Sequence, residues 1–285
     1  MHHYLTESAV QEFIKSALAE DIGEGDHSTL ASVPANFIGK AKLLVKDDGI
    51  IAGIALAEKI FQHIDPSLTV EVFIKDGDEV KKGDIAFVVS GSCQSILSSE
   101  RLVLNCMQRM SAIATYTRKL CKLIEGTTAK LMDTRKTTPN FRIMEKWAVS
   151  IGGGMNHRFA LYDMVMLKDN HIDMAGGIRK AIQSTKKYLD GQNKKLKIEV
   201  ETRNLAEVEE VLAVGGIDVI MLDNMSVDEM KKAVKLIGGK YKTEASGGIT
   251  ESTLRAVAAC GVDYISVGAL THSVKSLDLS LKVIK

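Results

Sequence analysis

The chain has almost no net charge. Its 37 lysines and arginines face 36 aspartates and glutamates, for a formal charge of +1. No global field gathers polyanions, which argues against a histone-like or membrane-surface protein and leaves room only for local basic pockets. Long hydrophobic runs are missing too. The best, Gly49–Ala57, ends at Glu58, far short of the ~20 residues that span a bilayer. Aromatics make up only 5% of residues, so the core is expected to be aliphatic, supplemented by 12 methionines. Cysteine is scarce: Cys93, Cys106, Cys121 and Cys260 stand far apart with no CxxC pair, which reads as buried free thiols in a reducing compartment. The first residues carry Glu7 and Glu12 and lack a basic-then-apolar pattern, so no signal peptide is expected. What is there is ordinary for a globular chain, with 45% hydrophobic and 26% charged residues, and this excludes wholesale disorder. A compact cytoplasmic protein is expected. At ~150 residues per domain, 285 residues make two domains or one large α/β barrel.

The first segment opens with a helix: Ser8 and Gln11 have capping-box spacing, and Val10, Phe13, Ile14, Ala17 and Leu18 recur every three to four residues until Gly23 and Gly25. From Ile38 to Val89 the signals turn to β, with strands expected at 41–45, 69–74 and 85–89 between Asp/Gly turns. A long helical pattern then runs to about Ile124; one of its stripes is polar, with Arg101, Asn105, Gln108 and Arg109 on one face. That stripe is either solvated or lines a site. From Ala129 onward, short β-prone runs at 129–133, 163–167, 196–201, 218–222, 241–245 and 263–267 alternate with amphipathic helices. Asn204 with Glu207 and Ser226 with Glu229 mark helix starts, while Gly238 and Gly261 mark helix ends. Such alternation requires parallel strands joined by right-handed crossovers. Six units without a dinucleotide glycine fingerprint favour a (β/α) barrel over a doubly wound open sheet.

In a barrel, chemistry gathers at the C-terminal strand ends. Every expected end is polar or glycine-rich: Asp133–Thr138, Lys168–His171, Glu199–Glu201, Asp223-Asn224, Ser246–Thr250 and Gly268–His272, with Gly152–Arg158 leading into the second strand. Ser246-Gly247-Gly248 before a helix, and Gly268 after the last strand, suit a phosphate, since bare N–H groups lie at a positive dipole end; a plain tight turn is the alternative. Glu201 and Asp223 close consecutive strands and together offer hard oxygen ligands for Mg²⁺; Glu199, on the same strand face as Glu201, is the alternative ligand, and Glu201, nearer the mouth, is preferred. Alternatively, each simply accepts bonds from a helix N-terminus. Arg135, Lys136, His157, Arg158, Lys168 and His171, with Arg101 as a candidate addition, form a basic wall suited to a small acid with more than one carboxylate. A zinc site on His157 and His171 lacks a third soft ligand at suitable spacing. The Asp76–Asp84 stretch has the look of a carrier-domain hairpin but no modifiable lysine in its recognition context; it reads as a plain hairpin.

Taken together, Glu20–Asp26, Ser99–Asn105, Asp133–Pro139, Gly152–Arg158, Lys168–His171, Glu199–Glu201, Leu222–Asn224 and Ser246–Ile249 resemble the quinolinate phosphoribosyltransferase family, also called nicotinate-nucleotide pyrophosphorylase (carboxylating). The match runs from about residue 5 to the C-terminus. The resemblance implies an N-terminal α/β sandwich domain over 1–115, joined by the tail 273–285, and an incomplete (β/α) barrel over 116–272. It also implies a homodimer or higher even oligomer. On the substrate side it implies that Arg135, His157, Arg158 and Lys168 hold the quinolinate carboxylates, with Arg101 reaching in from a neighbouring subunit. Lys136 then lies between the acid and phosphoribosyl pyrophosphate (PRPP), Glu201 and Asp223 lie by the ribose and Mg²⁺, and Ser246, Gly247, Gly248, Gly268 and His272 lie by the 5′-phosphate. Asn140-Phe141, Ser150 and Ala112 depart from the family pattern, none at a proposed contact. A phosphoribosyltransferase for another anion, or an inactive regulatory barrel, are the rival readings.

Overall fold

The computed structural model describes residues 4–284. The chain divides into two compact units. One comprises the chain up to Arg118, then Lys136–Gly153 and the segment from Ala269 onward; the other comprises Lys119–Arg135 and Gly154–Gly268. The stretch 136–153, placed in the second domain from the sequence, therefore groups with the first unit.

The first unit begins with α1 (Glu7–Ile22), which buries Val10, Ile14 and Leu18 and stops at Gly23, whose φ of 54° suits glycine. Its cap is Thr6 rather than the expected Ser8. Thr6 has an extended backbone, and its hydroxyl accepts from Ala9 N–H at 3.2 Å, so Ser8 and Gln11 fall inside the helix. After α2 (His27–Ser32) come β1 (Ile38–Val45), β2 (Gly49–Ile50), α3 (Ile54–Ile64), β3 (Thr69–Val72), β4 (Glu79–Val80), β5 (Ile85–Ser92) and α4 (Cys93–Leu123). A four-stranded antiparallel sheet runs C-terminal strand (Leu279–Ile284), β1, β5, β3. β2 and β4 pair separately.

The β reading of 38–89 misses α3 because that helix is capped from a distance. Gly53 offers no side chain, and Asp76 instead accepts from Ile54 N–H at 2.8 Å and Ala55 N–H at 3.2 Å. α3 then buries Leu56, Ala57, Ile60 and Phe61, with Phe61 edge-on to Phe87 at 5.8 Å.

The polar stripe of α4 splits into two. Arg101 and Asn105 are exposed. Gln108 Nε2 donates to Leu279 O at 2.9 Å, and Arg109 donates to Val274 O at 3.3 Å and to Thr271 O. Arg109 also donates two bonds to Glu145 Oε1, at 3.0 and 2.9 Å. Glu145 lies on α5 (Arg142–Ile151), is fully buried, and accepts from the Thr138 N–H and hydroxyl as well. This pair fastens the C-terminal segment to α4.

The second unit is a six-stranded parallel sheet built from β6 (Lys130–Met132), β7 (Val165–Leu167), β8 (Ile198–Thr202), β9 (Val219–Asp223), β10 (Lys242–Ser246) and β11 (Tyr264–Ser266). Its order, β6-β11-β10-β9-β8-β7, is that of an incomplete barrel open between the first and second strands. Met155 borders that opening, bridged in parallel to Met132. Crossover helices α6 (Asp169–Ala175), α7 (Ile178–Gly191), α8 (Leu205–Val214), α9 (Val227–Ile237) and α10 (Glu251–Ala258) join the strands. Asn204 caps α8, and the Ser226–Glu229 capping box opens α9, as expected from their spacing. No helix among the described residues is long and apolar enough to cross a membrane.

Replacing Arg109 with alanine would strand Glu145 as a buried carboxylate without its cation. The expected loss is about 3 kcal/mol, read as a lower midpoint in thermal or urea unfolding. A change under about 1 kcal/mol would mean that the exposed side of Arg109 already screens the pair.

Candidate active site

The parallel strands of the second unit set the geometry, because all their C-terminal ends lie on one side. Asp133 follows β6 and is fully buried; it accepts from Asn156 Nδ2 at 2.7 Å and from His157 N–H at 2.8 Å. These bonds pin the 156–158 segment beside the first strand. The His157 ring turns inward. Its Nε2 stands 3.1 Å from Glu199 Oε2 and 3.3 Å from Glu244 Oε2, with all three side chains almost completely buried. Its Nδ1 receives the Arg158 N–H at 2.6 Å. Burial and the Glu244 charge push the Glu199 carboxyl up to about 7. Burial opposes a charge on His157, but the two carboxylates outweigh it and pull its pKa upward.

Above this trio lie the cations. Arg158 donates to Met164 O at 3.1 Å and packs against Met166 Sδ at 3.7 Å. Burial and the nearby Arg135 charge depress its pKa, while Glu199 and Asp163 support the charge. Lys168 caps α6 and sets Nζ 3.6 Å from Glu201 Oε2. Glu201 also accepts from Asp169 N–H at 3.4 Å. Burial raises its pKa, Lys168 and the Asp169 amide work against that, and the Asp223 charge adds to it. His171 is exposed, and its Nδ1 accepts from the Lys168 N–H at 3.0 Å.

The Ser246-Gly247-Gly248 turn is built against Asn224. Asn224 has φ +54°, donates its N–H to Ser246 O at 2.9 Å, and donates Nδ2 to Asp223 Oδ2 at 2.7 Å. Gly247 sits at φ +88°, where a Cβ would collide with the Asn224 side-chain amide and crowd its backbone nitrogen. One asparagine thereby ties the acid ending β9 to the glycine turn ending β10.

Within the second unit, then, Arg135 and Arg158 feel each other's charge, as do Glu201 and Asp223, and Lys168 pairs with Glu201. Arg101, Lys136 and His272 belong to the first unit. All three are exposed; the Lys136 carbonyl accepts from Thr271 Oγ1 at 2.7 Å, and His272 Nδ1 meets Ser273 Oγ at 2.5 Å. Sequence reasoning did not single out Glu244, Asn156 or the anchoring role of Asp133. The signal for Glu244 was its place two residues before Ser246, the same strand alternation that relates Glu199 to Glu201.

The C-terminal domain model of quinolinate phosphoribosyl transferase matches residues 113–282, and the N-terminal domain model matches residues 26–111. The chain belongs to the quinolinate phosphoribosyltransferase family. It is 50% identical over 285 residues to the chloroplastic nicotinate-nucleotide pyrophosphorylase (carboxylating) of Arabidopsis thaliana, covering 95% of this chain and 81% of that protein. It is 48% identical to the mitochondrial quinolinate phosphoribosyltransferase (decarboxylating) 2b of Nicotiana tabacum, covering 96% of this chain and 82% of that protein. Among solved structures, NadC from Streptococcus pyogenes superposes with a TM-score of 0.91 at 40% identity, covering 99% of each chain. The antiparallel sheet unit followed by an incomplete barrel is thus this family's architecture.

The glycine turn supplies a graded test. Gly247→Ala meets both a left-handed backbone and the Asn224 collision; Gly248, at φ +60°, would place its Cβ at an ordinary 4.0 Å from Asn224 Oδ1. Gly248→Ala is expected to cost about 1–2 kcal/mol and Gly247→Ala clearly more, read by unfolding. Equal losses would contradict the packing described.

Proposed function

We propose that this chain performs the reaction of its family, transferring the phosphoribosyl group of PRPP to quinolinate with decarboxylation. The products are nicotinate mononucleotide, CO₂ and pyrophosphate, and the reaction supplies NAD synthesis. The observation that carries this reading is the opposition of charges at the strand ends. Arg135, Arg158 and Lys168 come from the early loops, and Glu201 and Asp223 from the middle strands.

Each role follows from charge. Clustered cations repel one another unless an anion neutralises them, and a diacid does so at two points, with guanidinium forks matching carboxylates two bonds at a time. Arg135, Arg158 and Lys168 form the wall that holds quinolinate, and His157 stands behind it, buried against Glu199 and Glu244. Its ring nitrogen attacks the anomeric carbon of PRPP as pyrophosphate leaves, and Glu201 and Asp223 favour the positive charge that develops on the ribose. Lys136, the residue after Arg135, counters the charge of the leaving pyrophosphate. Ser246, Gly247, Gly248, Gly268 and His272 hold the 5′-phosphate. Once the ring nitrogen is cationic, the adjacent carboxylate leaves as CO₂ because the carbanion left behind sits next to N⁺; a proton then replaces it.

Two carboxylates at the ends of the paired parallel strands β8 and β9 are hard donors. They fit Mg²⁺, with water and substrate phosphates completing its shell. When bound, the ion supplies positive charge to the pyrophosphate oxygens. The assembly is a homodimer or higher even oligomer in which Arg101, exposed on α4, serves a second copy. None of the four cysteines is in a disulfide, which supports a reducing compartment such as the cytoplasm.

The test is direct. Purified protein with Mg²⁺, PRPP and quinolinate is expected to release mononucleotide and CO₂ together. Turnover with nicotinate but not quinolinate would overturn the substrate assignment. Lys136→Ala is expected to lower kcat by about 10²-fold or more with an unchanged unfolding midpoint; equal loss of rate and stability would count against its role. Chelation of divalent metal is expected to abolish turnover, and full activity in excess chelator would remove Mg²⁺ from the mechanism.

A further inference from the structure

Two buried acids have no part in the roles above. Glu199 on β8 and Glu244 on β10 are 0% and 1% exposed, and both reach His157 Nε2. Burying two carboxylates is costly unless something definite is gained. One way to occupy such a trio is with a metal ion, since one ligand atom from each lies within 4.8 Å of the others. The other nitrogen of the ring decides against it. A metal on Nε2 needs the lone pair there, which moves the ring proton to Nδ1, where it requires an acceptor. Here Nδ1 faces a donor instead, the Arg158 N–H at 2.6 Å. Nδ1 is therefore the acceptor, and Nε2 carries the hydrogen, with a carboxylate oxygen of Glu199 3.1 Å and of Glu244 3.3 Å away.

We propose that Glu199 and Glu244 are positioning residues for quinolinate, acting through His157: by accepting its Nε2–H they lock the ring so that Nδ1 receives the Arg158 amide and fixes where the Arg158 side chain departs. Both ring nitrogens are thereby engaged inside the protein, and the His157 side chain is only 6% exposed. His157 supports the cationic wall from behind, and the guanidinium of Arg158 makes the contact with the acid. The backbone of the same residue is held on its other side by Asp133, which accepts the His157 N–H. Of the two acids, Glu199 also sits where a negative charge steadies Arg158 against the repulsion of Arg135. This inference rests on the proposed role of Arg158 in binding the acid.

Glu244→Met and Glu244→Gln test it, because they have similar size and only glutamine keeps an oxygen acceptor for Nε2–H. In Glu244→Met, KM for quinolinate is expected to rise by about tenfold or more while kcat stays within about threefold and KM for PRPP within about twofold. In Glu244→Gln, KM for quinolinate is expected to stay within about threefold of wild type. An unchanged quinolinate KM in Glu244→Met, a parallel rise in both KM values, or a glutamine variant as impaired as the methionine one would overturn the proposal. A second readout does not depend on turnover. Ring ¹⁵N signals of His157 in metal-free wild type, assigned by their loss in His157→Gln, are expected to show the Nε2–H tautomer, and an Nδ1–H tautomer would overturn the proposal. If Glu244→Met fails to fold, Glu199→Met, expected to raise KM for quinolinate in the same way and contradicting the proposal if it does not, and this tautomer measurement decide instead. Stoichiometric Zn²⁺ binding that shifts the His157 Nε2 signal would also overturn it, in favour of a metal centre. Wild type that turns over no quinolinate refutes the proposed function and leaves the tautomer result standing by itself.

Discussion

The site depends on strand direction. Because β6 to β11 are parallel, every loop that follows a strand emerges on the same side, and residues far apart in sequence become neighbours there. Arg135 and Arg158 repel each other across residues that the chain separates, and Glu201 and Asp223 do the same from consecutive strands. Neither pair would persist on an open surface, where solvent would let the side chains part. Cations attract a diacid, and acids attract a positive ribose or a divalent ion.

Two of the buried acids, one in each unit, are tied in place by hydrogen bonds. Asp133 is fully covered yet accepts two bonds, and Glu145 is fully covered yet accepts from Arg109 and Thr138. Glu199 and Glu244 are the exceptions in character, since they face each other as well as His157, and burial has shifted Glu199 toward its protonated form.

Much of this was legible from the sequence wherever the cause is local. The six parallel strands were expected from alternation and lie where expected, within two residues at either end, because strand and helix periods differ and the Ser226–Glu229 and Asn204–Glu207 caps are written in adjacent residues. The polar ends of those strands were legible for the same reason. Non-local causes were not. α3 starts where Asp76, over twenty positions away, accepts its first amides, so no window around Gly53 reveals the helix. Arg109 looked like a surface charge because Glu145 and the C-terminal carbonyls arrive from distant segments. Glu244 carried no motif, only the alternation of its strand, and its meaning depends on a histidine from the opposite side of the sheet order.

The most direct single measurement is a crystal structure of the protein with quinolinate and an unreactive PRPP analogue. The expected result is one carboxylate on Arg158 and Arg135, the ring nitrogen aimed at the anomeric carbon, and Glu201 with Asp223 facing the ribose. Quinolinate bound away from Arg135 and Arg158, or the sugar bound away from both acids, would contradict the idea that opposed charges at the strand ends make the catalytic site.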